Sequence, residues 1–126
     1  MRKLVLVLII PAFVVSVTFI ASSGLTAAAK GNAAKGKKLY AQTKCQVCHG
    51  VNGKGDGPAA KSLKPPPTNF ADAKRMSKRT DKQLFNVLKN GGPAEKLAAT
   101  MPAYKDKLKD AEINDVVTHL RTLAKK

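Results

Sequence analysis

Cys45-Gln46-Val47-Cys48-His49 is the stretch on which the reading of this 126-residue chain turns. Two thiols three positions apart, with an imidazole on the next residue, form the C-x-x-C-H signature of covalent c-type haem attachment. The spacing has a physical reason. Thiols so placed reach the two vinyl groups on one edge of a porphyrin, and the following residue is carried under the iron, where its imidazole can coordinate. Three other chemistries use paired cysteines. A thioredoxin-like dithiol belongs in a βαβ setting, which is not seen around this pair. A zinc site needs more ligands, but the chain has no further Cys and His119 is its only other His. A structural disulfide would leave His49 without a role. The motif therefore predicts one haem c, joined through Cys45 and Cys48, with His49 on the iron.

The N-terminal side of the motif agrees with this. Met1-Arg2-Lys3 is a cationic head, Leu4 to Ile20 a nearly unbroken apolar run, and Ala21 to Ala29 a small-residue exit. That order is a secretory signal. Cleavage is placed after Ala29, with Ala27 and Ala29 as the small residues the peptidase needs, and after Ala27 as the nearest competitor. The apolar run is also close to the length that spans a bilayer. An uncut leader anchoring the protein is thus the alternative, weakened by Pro11, Ser16 and Thr18. The expected organisation is a leader at residues 1–29 and one exported domain at 30–126.

The leader holds two of the 23 Lys and Arg and none of the 8 acids, so the remaining 97 residues carry a charge of +13. Such a balance raises the question of nucleic acid, but export separates the domain from it, and the lysines are scattered. A field of that sign steers acidic proteins or anionic headgroups toward the surface. The domain has no Trp, and two of the four Phe lie in the leader. Its core is modest, and a haem would add apolar surface.

Three helical segments stand out. The first runs from about Ala33 to Thr43 with Asn32 as N-cap, and places Gly36 and Tyr40 on one face. The second follows Thr80-Asp81-Lys82-Gln83, a capping-box pattern. Its stripe is Leu84, Val87 and Leu88, and Asn90-Gly91-Gly92-Pro93 ends it. The third repeats apolar residues at Ile113, Val116, Val117, Leu120, Leu123 and Ala124. Asp110 and Glu112 lie in its first turn and Arg121, Lys125 and Lys126 in its last, as the helix dipole favours. No alternation long enough for a strand is seen, so the fold class is all-α. The loop 50–70 contains four Gly and four Pro. A structureless segment of that length in a compact domain calls for a function, such as wrapping a cofactor.

With these features in place, residues 30–126 resemble the small bacterial class I cytochromes c. The resemblance rests on a haem motif near the start, Met101-Pro102-Ala103-Tyr104 late, and an amphipathic helix at the end. It implies three main helices and long loops wrapped around one covalently bound haem. It also implies a Met as sixth iron ligand. Met101 fits the family's ligand loop, whereas Met76, in Lys74-Arg75-Met76-Ser77-Lys78, reads as a gap-filling side chain. The resemblance further implies that Gly36 and Tyr40 pack against the last helix. The aromatic usual there is replaced by His119, which is expected to be a packing residue. Pro58 is the match for the Pro whose carbonyl accepts from the axial His, with Pro65–Pro67 as alternatives. Asn69, Phe70 and Tyr104 are further candidates for lining the haem.

His/Met ligation leaves no open coordination position, which suits passing single electrons rather than binding substrate. The implied role is an electron carrier, not an enzyme, in the periplasm. Its expected partners are acidic redox proteins, a reductase and an oxidase or terminal reductase, met by a monomer. Lys44, Lys54, Lys61 and Lys105 are candidates for the docking surface. Two alternatives accompany it. One is a membrane-anchored electron-transfer subunit of an oxidoreductase complex. The other is a gas-binding or peroxide-reducing haem protein, which requires a weak or absent sixth ligand.

Overall fold

The structure, a computed structural model, describes residues 30–124. The leader at 1–29, its cleavage site, and Lys125 and Lys126 lie outside the described residues. Among the described residues five α-helices follow in order: α1 (Ala33–Gln42), α2 (Gln46–His49), α3 (Ala73–Ser77), α4 (Asp81–Asn90) and α5 (Asp110–Leu123). Short 3-10 turns occupy Ala60–Ser62 and Gly92–Glu95. No β-strand occurs among the described residues, so the all-α expectation holds. None of the described helices is long and apolar enough to cross a membrane.

The helix starts follow from their caps. Asn32 Oδ1 accepts from the Lys35 amide at 3.0 Å, opening α1. At α4 the capping box is complete: Thr80 Oγ1 accepts from the Gln83 amide, and Gln83 Oε1 accepts from the Thr80 amide. Two orphan amides are thereby satisfied. Gly91 ends α4 at φ +87°, a left-handed conformation that suits glycine. The sequence reading missed α2 and α3. Each is only four or five residues long, too short to display a period. In α3 the signal was Asp72, whose carboxylate caps the Arg75 amide at 3.0 Å.

The frame is the crossing of α1 and α5. Ile113, Val116, Val117 and Leu120 are buried, with Ile113 and Val116 at 0% and 1% exposure. Full burial of such a side chain contributes about 1.5–3 kcal/mol. Gly36 makes the crossing possible, because a Cβ there would run into the Asp115 carbonyl and come within 2.9 Å of the His119 Cβ. His119 is buried in this contact, its ring edge-on to Tyr40 at 5.4 Å between centroids. It packs where the sequence reading put it, at the helix crossing, and does not line the large cavity described below.

Arg121 fastens the same helix to the next layer. Its guanidinium donates to the Met76 and Arg79 carbonyls and to Asp81 Oδ1. The Asp81 pair is mostly exposed and worth little in itself. The two carbonyl bonds matter more, since they tie the end of α3 to α5.

Candidate cofactor-binding site

Two elements deliver the motif. Lys44, in the left-handed region at φ +60°, turns the chain out of α1. The single turn α2 then carries Cys48 and His49, with Cys45 just before it. From the frame, the Tyr40 hydroxyl donates to the Gly50 carbonyl at 2.7 Å, in a buried bond. This bond joins the α1–α5 crossing directly to the end of the motif. Burial pushes the Tyr40 phenol well above its ordinary pKa, so the hydroxyl keeps the proton it donates.

Cys45, Cys48, His49 and Met101 all line one cavity of about 660 Å³, a size within the roughly 300–1,000 Å³ of cofactor sites. They come from the motif at one end of the domain sequence and the 3-10/α5 connection at the other. Leu63, Phe70, Leu84, Val87, Leu88, Tyr104 and Leu120 supply apolar walls. Both thiols are free. Cys45 is buried and lies 3.2 Å from Thr43 Oγ1. That hydroxyl already donates to the Leu39 carbonyl, so the thiol is the donor between them. Burial raises the Cys45 pKa. Tyr104, likewise buried, is pushed up to about 12 by burial, with the nearby Cys45 charge acting in the same direction.

His49 is oriented from behind. Its Nδ1 lies 3.1 Å from the Thr68 carbonyl oxygen. A carbonyl only accepts, so Nδ1 carries the proton and Nε2 keeps a lone pair free. Burial lowers the ring's pKa, against a smaller opposing effect of the Thr68 bond. The neutral form is the one that can coordinate a metal. Phe70 stacks on the imidazole, 4.5 Å between centroids at 24°, and fixes the ring plane.

The acceptor is a correction to the sequence reading, which assigned this carbonyl to Pro58. Pro58 instead lines a separate recess with Gln46, Val47 and Asp56. The reason is local hydrogen bonding. Gly57 donates to the Cys48 carbonyl and Ala59 to the Val47 carbonyl, which pins that segment along the motif's other side. The Phe70 amide donates to the Gly53 carbonyl at 2.6 Å, drawing residues 68–70 across His49. Pro65, Pro66 and Pro67 line the cavity just before Thr68. Phe70 and Tyr104 reach the cavity as anticipated. Asn69 does not; its side chain accepts from the Ala71 amide.

Met76 lines the cavity as well, from α3, and is only 1% exposed. Met101 is partly buried against the core. Its carbonyl accepts from the Gly92 amide at 3.0 Å, and its own amide donates to Ala98, which hold the loop closed over α4's end.

The residues fit a covalently attached haem. Two free thiols, a neutral imidazole with an available Nε2 and two thioethers line one cavity with many apolar side chains, which is the donor set the group requires. Such a fold and such a cavity define a class of small helical proteins built around a covalent haem. The sequence profile of the cytochrome c family matches residues 33–124. Among solved structures, the KustC0563 c-type cytochrome is similar, with a TM-score of 0.57 and 30% identity over 71% of this chain and 98% of that one. Comparison with curated proteins returned no match. The chain belongs to the cytochrome c family. Its cofactor is a covalently bound haem c, and its role is that of a haem electron carrier working with redox partner proteins.

Proposed function

We propose that this protein is an exported carrier of single electrons, with its haem joined at Cys45 and Cys48 and held axially by His49 and Met101. The observation that carries the reading is the convergence of these four side chains on one cavity. When bound, the haem supplies an iron that exchanges one electron between its ferric and ferrous states.

The chain's own residues do the rest. The Nδ1–H bond to Thr68 holds the imidazole in the tautomer that leaves Nε2 for the metal and strengthens its basicity. The Met101 thioether, a soft ligand, would favour the reduced state and raise the potential of a bound haem. Leu84, Leu88 and Leu120 give the cavity buried apolar walls, which would limit the solvent that must rearrange when charge changes. With His49 and Met101 both holding the iron, no position would be left for substrate, which would favour electron transfer over catalysis. Cleavage after Ala29 would release the domain 30–126 to the periplasm as a soluble shuttle, whereas an uncut leader would tether it.

Partners are acidic redox proteins. Lys44, Lys54, Lys61 and Lys105 are exposed, and brief contacts of this kind bury little area. Electron transfer is expected to slow as salt rises, and a flat salt dependence would remove the electrostatic docking.

The deciding experiment is visible absorption of the haem-loaded protein. A weak far-red band from methionine on ferric iron is expected in the wild type. Met101→Ala is expected to abolish it and Met76→Leu to retain it. The reverse pattern would move the ligand to α3, and no band in the wild type would open the sixth position and turn the reading toward ligand binding.

A further inference from the structure

The loop that carries Met101 is closed almost entirely by its backbone. Gly92 donates to the Met101 carbonyl at 3.0 Å, Leu97 to the Gly92 carbonyl at 2.9 Å, and Met101 to the Ala98 carbonyl at 3.1 Å. A single side chain ties this loop to a helix. Glu95, the last residue of the 3-10 turn Gly92–Glu95, accepts from Asn86 Nδ2 on α4 at 2.7 Å. Asn86 is held in turn, since its Oδ1 accepts from Asn90 Nδ2 at 2.7 Å. Among the described residues, no other side-chain hydrogen bond joins residues 91–103 to the rest of the domain.

The partner that Glu95 has taken is informative. Glu95 is half-buried, and no Lys or Arg of the described residues lies within ion-pair distance of it, although the domain is strongly basic. Asp72, Asp81 and Asp110 each have such a cation. A carboxylate that accepts from an amide forms a charge-assisted, directional bond, which fixes geometry better than an exposed ion pair does. The next residue shows what needs fixing. Lys96 stands at φ +55°, in the left-handed region that a side chain other than glycine's occupies only where the surroundings hold it. The Asn86 bond secures the chain immediately before that turn, and the chain then runs on to Met101.

We propose that Glu95, gripped by Asn86, is the latch that keeps the Met101 loop closed and so holds the thioether at the iron. The proposal rests on the His49/Met101 reading above. Glu95 and Asn86 are positioning residues, since neither lines the cavity and both act through the loop. Met101 gives up the sixth position only when its loop opens, and an outside ligand for that position binds the open form alone. Its apparent affinity therefore rises in proportion to the population of that form. Such opening is a local event, distinct from unfolding of the domain.

The test is titration of the ferric, haem-loaded full chain with imidazole, followed by loss of the far-red band. Glu95→Ala is expected to bind imidazole roughly three- to tenfold more tightly than wild type, the range set by loss of one hydrogen bond. Gly36→Ala, which strains the α1–α5 crossing instead, is expected to leave the imidazole affinity close to wild type. Asn86→Asp sets two carboxylates face to face and is expected to tighten imidazole binding as well. Adding Glu95→Gln to Asn86→Asp is expected to return the affinity toward wild type, because the Gln amide can donate to the carboxylate now opposite it. An unchanged affinity in Glu95→Ala, an equal tightening in Gly36→Ala, or no recovery in the double variant would overturn the latch. If Glu95→Ala does not accumulate as a haem protein, Asn86→Asp and its double variant decide: recovery supports the contact and its absence overturns it. Failure of the ligand reading looks different. The wild type itself would then lack the far-red band, or Met101→Ala would retain it, and the latch would fall with that reading.

Discussion

The α1–α5 crossing and the cavity wall are built on opposite principles. At the crossing, protein packs on protein: Gly36 admits the backbone of Asp115, Tyr40 meets His119 edge-on, and Ile113 and Val116 are shut away from water. Around the cavity, Leu63, Phe70, Val87, Leu97 and Met101 line one common space of about 660 Å³. The first region carries its own hydrophobic stabilisation. The second acquires it from the cofactor, because apolar area contributes only when it is removed from water, at roughly 25 cal/mol per Å². A domain of this size with few aromatics has little apolar surface to spare, so much of its core is on loan from the haem.

The sharpest way to break that contrast is to withhold the cofactor. In a Cys45→Ser/Cys48→Ser chain expressed without haem, amide hydrogen exchange is expected to show residues 50–70 and 96–109 largely unprotected. Amides of α1 and α5 are expected to keep measurable protection. Uniform loss in both regions would show that the crossing, too, depends on the cavity being filled. Uniform protection would show that the cavity closes by itself.

A second test attacks the crossing. Gly36→Ala puts a methyl into the Asp115 carbonyl, and backbone cannot swing aside as a side-chain tip can. Overpacking of this kind costs about 1–3 kcal/mol, outweighing the roughly 1 kcal/mol that Ala gains over Gly in a helix. Denaturant unfolding of the haem-loaded protein is expected to show the loss. A neutral or stabilised variant would mean that the helices can separate at little cost.

The smallest effect concerns pH. Burial lowers the His119 pKa, with Lys37 on α1 acting in the same direction. The unfolded chain therefore takes up the proton first, near its ordinary value of about 6.5. His119 costs nothing above that pH. As pH falls below it, stability is lost, at no more than about 1.4 kcal/mol per pH unit for one group, until the folded form protonates as well. His119→Phe, which restores an aromatic at the crossing, is expected to flatten the slope of unfolding free energy between pH 7 and 5. An unchanged slope would assign the acid sensitivity to other groups.

Legibility in the sequence followed the range of the interactions. The capping box at Thr80 and Gln83 and the stripe through Ile113, Val116 and Leu120 could be found because each is written within a turn or two of helix. Asp72 could have been recognised as the cap of α3, but five residues show no period. Gly36, Tyr40 and His119 were legible through family resemblance, since nothing local says that two helices 70 residues apart will cross. The Pro58 assignment failed for a related reason. Any non-terminal residue has a carbonyl, so residue type gives no indication of which carbonyl will meet an imidazole.

The chemistry of attachment is written in the chain itself. Two cysteines and a histidine at C-x-x-C-H spacing specify a covalent haem wherever the domain folds, because the separation of the thiols is a property of one turn of chain. How that motif is held emerges on folding: Thr68 behind His49, Tyr40 fastened to Gly50, and Arg79 left at the cavity without a carboxylate. The first two are meetings between residues 19 and 10 positions apart. They depend on the path of the loop from Gly50 to Phe70 and on the crossing of α1 with α5, and such paths are selected by the free energy of the whole packed domain.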